Sequence, residues 1–137
     1  MNGGLILRLS LFGLAMAIAT VYVVPSNVEP LPWLAIFIVT AYLIARGAPR
    51  LVFVHGLLLG LMNCVWVTGA HVLLFDAYRA HHAAEMTAMQ KMPMPASPRV
   101  MMLIIGPVIG VISGCVIGLF ALAAAWMLKR RKPAAAA

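Results

Sequence analysis

The sequence predicts an all-α integral membrane protein, a four-helix bundle with both termini in the cytoplasm. Its 137 residues are 64% hydrophobic and only 9% charged, whereas soluble domains are about 45 to 50% apolar and about 25% charged. Four apolar stretches approach or meet the roughly 20 residues that a helix needs to cross a hydrocarbon core about 30 Å thick. We therefore expect one transmembrane domain over residues 1–137, with no separate soluble domain.

The first two predicted spans cover about 5–24 and 32–46, and the turn-forming stretch "PSNVEP" separates them. The second is short, but Trp33 suits an interfacial anchor and Arg46 can extend its charge towards headgroup water. A re-entrant second segment is the alternative. Cleavage of the first span as a signal peptide is disfavoured by its long apolar part and by the lack of a small-residue cleavage site.

The third and fourth predicted spans cover about 51–75 and 100–128, and a polar loop, residues 76–99, connects them. The fourth exceeds the bilayer core, so it should tilt, kink or protrude, and Pro107 offers a place to kink. Helix-forming residues dominate from Asp76 to Lys91, before "MPMPASP". The third span should therefore continue as a helix out of the membrane, which leaves the loop partly helical.

Orientation follows from the basic residues, because cytoplasmic loops carry an excess of Lys and Arg. With the amino terminus inside, three basic residues fall outside, namely Arg79, Lys91 and Arg99. Seven fall inside, namely Arg8, Arg46, Arg50, Lys129, Arg130, Arg131 and Lys132. This predicts a multi-pass protein of the inner (plasma) membrane. The +7 charge is dispersed among apolar spans and forms no stripe, so nucleic acid is not an expected partner.

Small residues recur at every fourth position in the third and fourth spans. The stripe of the third comprises Gly56, Gly60, Cys64 and Thr68, and that of the fourth comprises Gly106, Gly110, Gly114 and Gly118. Such stripes permit close helix contact within a bilayer. They predict antiparallel packing of the two spans, with self-association or a hinge as alternatives. Cys115 projects away from its stripe, so no disulfide with Cys64 is expected.

Two polar residues of the third span, Asn63 and His71, are predicted to project near its small-residue stripe, with His55 roughly opposite. Polar groups at membrane depth normally face the bundle and find partners there. An interhelical hydrogen bond is the simplest role for Asn63. For His71, contact with headgroup water competes with a role in proton or metal binding.

The polar loop contains "HHAAEMTAMQKMPMP", in which His82, Met86 and Met89 would share one face of a helix. Thioether and imidazole groups together suit Cu(I), and Met92 and Met94 add further sulfurs. Interfacial packing is the competing interpretation, because Met is an adaptable apolar side chain. A proton-sensing cluster of His81, His82 and Glu85 is a third possibility.

No sequence motif indicates catalysis: HExxH, GxSxG, the P-loop and the dinucleotide-binding turn are all missing. The three acidic residues are too scattered to form an evident acid and base pair, so we expect no enzyme. The first functional hypothesis is a non-catalytic membrane component that packs with itself or with a membrane partner through its glycine faces. The alternatives are a periplasmic Cu(I)-handling protein and a small transporter that uses Asn63 and His71. No resident cofactor is expected unless Cu(I) binds.

The layout also resembles small four-span bacterial membrane proteins that are grouped as a domain of unknown function. The resemblance lies in the short two-helix first half, in the polar loop "FDAYRAHHAAEMTAMQKMPMPASP" and in the glycine-bearing last span before "LKRRK". Loops of that family are typically rich in Glu, Gln, Lys and Met, and this one departs by its His pair and Ala content. The family has no established activity, so the resemblance implies a membrane fold and no catalytic residues.

Overall fold

The fold is all-helical throughout the part of the chain that the structure, a computed structural model, describes: residues 1–48, 50–92 and 97–130. Its helices in chain order are α1 (Gly3–Tyr22), α2 (Pro30–Gly47), α3 (Val52–Leu73), α4 (Phe75–His81), α5 (Ala83–Met89) and α6 (Pro98–Arg130). Met94, Arg131 and Lys132, which entered the predictions above, lie outside these residues.

Four of the helices, α1, α2, α3 and α6, are long and apolar enough to cross a membrane. Their ends agree with the predicted spans to within two residues. At 33 residues and 1.5 Å per residue, α6 is about 50 Å long and exceeds the hydrocarbon thickness. Pro107 lies inside α6 without ending it.

The predicted continuous extension of the third span is wrong, because the helix breaks twice. Leu74 (φ −102°, ψ 31°) separates α3 from α4, and His82 (φ −128°, ψ 55°) separates α4 from α5. At the second break the His82 imidazole donates from Nδ1 to the carbonyl of Tyr78, 3.0 Å away. That carbonyl is the one that the His82 backbone N–H would use in an uninterrupted helix. His82 therefore stands at the start of α5, one helical turn before Met86, and not inside a continuous helix.

The closest helix pair is α3 against α6, and glycine makes the approach possible. A Cβ atom added to Gly56 would lie 2.5 Å from the Cα of Gly118, and one added to Gly60 would overlap the backbone of Gly114. The pairing of early α3 with late α6 makes the two helices antiparallel, as predicted. α1 packs on the other side of α3, and α2 packs on α6.

Two buried apolar clusters lie at opposite ends of the bundle. The terminal-end core, near Asn2 and Arg130, comprises Leu9, Ala41, Ile44, Ala48, Leu59, Ile117 and Ala121. The loop-end core, beneath α4 and α5, comprises Ala17, Val21, Ala70, Phe75, Tyr78 and Met102. All three buried residues of α2 (Thr40, Ala41 and Ile44) lie in its second half, so the first half of α2 stands away from the core.

The outside of the bundle is strongly apolar. Along α6 alone, Val108, Ile112 and Leu119 are more than half exposed. Soluble monomers rarely expose contiguous apolar patches beyond a few hundred Å², whereas such a surface suits contact with lipid. The surface and the four apolar helices together indicate a membrane protein.

Candidate functional site

The half of the bundle beside α4 and α5 contains a cavity of about 390 Å³. It lies where the first half of α2 stands away from α3 and α6, and Tyr78 and Met89 lie at its loop end. Its lining is mainly apolar, with a few polar groups. The lining residues are Glu29, Trp33, Phe37, Asn63, Cys64, Val67, Thr68, His71, Tyr78, Met89, Met102, Ile105, Gly106, Ile109, Gly110 and Ser113.

The most buried polar side chain in this lining is that of Asn63. Only 4% of the residue is exposed, and neither Oδ1 nor Nδ2 has a hydrogen-bond partner among the described residues. The amide packs on α1, where a Cβ atom added to Gly13 would lie 2.5 Å from Asn63 Cγ. Buried polar side-chain atoms are nearly always hydrogen-bonded, so the unpaired amide distinguishes Asn63 from the other residues of the cavity lining.

At the loop end, three rings stack in series. The Tyr78 ring lies between His71 and His82, with centroid separations of 4.2 Å and 4.1 Å and interplanar angles of 30° and 9°. His71 Nε2 lies 3.1 Å from Thr20 Oγ1 on α1. Two members of this stack, His71 and Tyr78, line the cavity where α3 leaves the bundle.

Acidic groups border the same end. The Trp33 indole donates from Nε1 to Glu29 Oε1 at 3.1 Å. Burial, together with the nearby charges of Glu85 and Glu29, raises the pKa of Tyr78 to about 12, so this phenol stays protonated and can donate. Partial burial alone would raise the pKa of Glu85. Hydrogen bonds from Ser26 and from the Glu85 backbone, together with the electrostatic effect of His82, outweigh burial, so the pKa of Glu85 lies below its usual value.

Asn63 and His71 both line the cavity, together with Cys64 and Thr68 of the small-residue stripe of α3. Asn63 and His71 contact α1, at Gly13 and Thr20, whereas the small-residue stripe of α3 contacts α6. His55 was expected opposite them but also meets the α1 side, where its Nε2 accepts a hydrogen bond from the Asn2 backbone N–H at 3.0 Å.

All six glycines singled out from the sequence lie in the α3–α6 contact. They are Gly56, Gly60, Gly106, Gly110, Gly114 and Gly118. A Cβ atom on Gly110 would lie 2.6 Å from Cys64 Cβ, and one on Gly106 would overlap Thr68. The small-residue stripes of α3 and α6 therefore pack against each other within one chain. Cys64 and Cys115 are both free.

The segment that contains His82, Met86 and Met89 packs against the loop end of the bundle. His82 is 2% exposed, and Met86 and Met89 are partly buried against the loop-end core. The described residues contain no group of three His, Cys, Asp or Glu side chains able to hold a metal ion.

The comparisons identify no relative: no family model matches the chain, and neither a curated protein nor a solved structure matches it significantly. The resemblance to the small four-span proteins therefore stays a prediction. Among the cavity residues, the roles of Glu29 and Tyr78 were missed. The spacing of His71, Tyr78 and His82, seven and four residues apart, was the available signal for the stack.

Proposed function

We propose that this protein is a non-catalytic integral membrane protein that binds a small lipophilic molecule in the cavity between α2, α3 and α6. The observation that carries the proposal is the Asn63 amide, which is buried beside the cavity with its donor and acceptor both unpaired. A polar group inside a membrane protein is costly and normally has a partner or a function.

The size and lining of the cavity support a small ligand with an apolar body. Its volume of about 390 Å³ lies within the range of about 300 to 1,000 Å³ typical of ligand pockets. Phe37, Ile105 and Ile109 supply apolar surface. The Asn63 amide, which lies against Gly13 of α1, can offer one donor group and one acceptor when its side chain turns towards the cavity. The matching ligand carries a group that both donates and accepts, such as an alcohol, a primary or secondary amide or a protonated carboxylic acid.

Binding of a small molecule accounts for the cavity better than transport or association with a partner through the glycine faces. Transport through the bundle would have to open the terminal-end core, where Ile44, Leu59 and Ile117 are fully buried. Association with a partner through the glycine faces would have to separate α3 from α6. We place the cavity in the outer leaflet of the inner membrane, because the excess of basic residues predicts that both termini are cytoplasmic.

The test compares two substitutions that each introduce Phe at neighbouring positions of α6. Ser113 lines the cavity, so Ser113→Phe should fill it. Ile112 is 60% exposed on the outer surface, so Ile112→Phe is the matched control. Each protein is extracted from its native membrane into nanodiscs, and native mass spectrometry with lipid extraction identifies the bound molecules.

We expect wild type and Ile112→Phe to retain a small molecule that Ser113→Phe lacks. Asn63→Leu should weaken its retention while leaving the cavity walls in place. If all four proteins carry the same set of molecules, or none carries any in excess of bulk lipid, the proposed function is wrong.

A further inference from the structure

The imidazole of His82 is arranged in the way that metal-binding histidines usually are. Its Nδ1 lies 3.0 Å from the Tyr78 carbonyl oxygen, and a carbonyl only accepts hydrogen bonds, so Nδ1 carries the hydrogen. In the neutral ring, Nε2 then carries a free electron pair. That nitrogen is buried and has no hydrogen-bond partner among the described residues.

A second histidine of the same chain shows the completed version of this arrangement. His55 Nδ1 lies 2.9 Å from the Leu51 carbonyl oxygen, which fixes the same tautomer. Its Nε2, however, accepts a hydrogen bond from the Asn2 backbone N–H at 3.0 Å. Both nitrogens of His55 are therefore satisfied, whereas the electron pair of His82 is available. Metal-ligating histidines commonly donate their other N–H to a backbone carbonyl, as His82 does.

The side chains near His82 limit which metal ion could bind there. With no group of three His, Cys, Asp or Glu side chains among the described residues, further ligands have to come largely from methionine. Met86 follows one helical turn later, with its backbone N–H donating to the His82 carbonyl at 3.1 Å. Met86 and Met89 both pack on the loop-end core that contains Tyr78, on which His82 stacks. Their unbranched side chains can turn the sulfur atoms without moving the backbone.

We propose that His82 Nε2 and the thioether sulfurs of Met86 and Met89 bind one Cu(I) ion at the loop end of the bundle. Thioethers select this soft ion, and imidazole also suits it. Two of the three proposed metal ligands, His82 and Met86, do not line the proposed ligand cavity. The metal site therefore does not depend on that cavity. Cu(I) keeps its oxidation state on binding, and only its coordination bonds to His82, Met86 and Met89 form.

The experiment is an anaerobic titration of the full chain in nanodiscs with Cu(I), in competition with a chromogenic Cu(I) chelator. The main variant, Met86→Leu with Met89→Leu, removes both sulfurs but keeps the apolar volume, so the fold is retained. Met127→Leu, at the far end of α6, is the control for loss of a single thioether. His82→Gln removes the nitrogen ligand, and X-ray absorption at the copper edge reports the ligand atoms.

Wild type and Met127→Leu should bind one Cu(I) with mixed nitrogen and sulfur scattering. The double Met variant and His82→Gln should each bind at least about tenfold more weakly, because loss of a ligand costs no less than the tenfold or more lost with an outer-shell partner. The proposal is overturned if wild type does not compete with the chelator, or if the double Met variant binds as tightly as wild type. Retained Cu(I) binding in Ser113→Phe would show that the metal site stands whether or not the cavity binds a ligand.

Discussion

Replacement of Gly60 by alanine should weaken the α3–α6 contact that organises the bundle. An added Cβ atom would overlap the Cα and N atoms of Gly114 and would lie 2.8 Å from the carbonyl oxygen of Gly110. Ordinary contact begins at 3.4 Å, and every conflicting atom belongs to a backbone, so no side chain can turn aside. The two helices would have to move apart.

The energetic cost follows from that separation. A gap of about 0.5 to 1 Å loses a quarter to a half of the dispersion energy between the atoms concerned. Lipid gives the helices little hydrophobic reason to stay together. Overpacking of this kind costs about 1 to 3 kcal/mol, and the better helix propensity of alanine returns at most about 1 kcal/mol. We therefore expect Gly60→Ala to lower the free energy of unfolding by up to about 2 kcal/mol.

Gly69→Ala provides a matched control on the same helix. A Cβ atom on Gly69 would meet nothing within 4 Å, so this change should leave stability unchanged or raise it by up to about 1 kcal/mol. The assay is equilibrium unfolding in mixed micelles with increasing SDS, followed by circular dichroism and tryptophan fluorescence. Equal stability of Gly60→Ala and Gly69→Ala would refute the reasoning.

Two further predictions concern the contact between α1 and α3. Gly13→Ala should destabilise the fold by about 1 to 3 kcal/mol, because its Cβ would displace the Asn63 amide. In an Asn63→Ala background the same change should cost little. An equal cost in both backgrounds would contradict the contact between Gly13 and Asn63. The Trp66 indole donates from Nε1 to Ser10 Oγ at 3.1 Å. A double-mutant cycle of Ser10→Ala and Trp66→Phe should give a coupling of about 0.6 kcal/mol, with about 1.7 kcal/mol as the upper limit seen for such bonds; additive effects would exclude the bond.

Much of the fold could be predicted from the sequence because a bilayer imposes simple constraints. Span length and apolar composition placed the four long helices, and the four-residue spacing of small residues predicted that α3 and α6 face each other. The breaks at Leu74 and His82 could not be predicted in this way. Neither residue is a glycine or proline, and the second break depends on a bond between the His82 side chain and the Tyr78 carbonyl.

The candidate site could be predicted only in part. Asn63 and His71 stood out as polar residues inside an apolar helix. Their environment could not be derived, because the cavity arises where the first half of α2 stands away from α3 and α6. That departure depends on how whole helices cross, which a single-helix projection does not contain. The stacking of Tyr78 between two histidines likewise requires the turn at Leu74.

The most direct test of the central claim observes the Asn63 side-chain amide itself. Nuclear magnetic resonance of protein with ¹⁵N-labelled asparagine, in nanodiscs of one defined phosphatidylcholine, would give its side-chain signals, and Asn63→Leu would assign them. We expect these signals to shift when a polar lipid extract from the native membrane is added, and to stay unchanged in Ser113→Phe. Signals that do not respond to the extract in the wild-type protein would contradict the claim that Asn63 and its cavity bind a ligand.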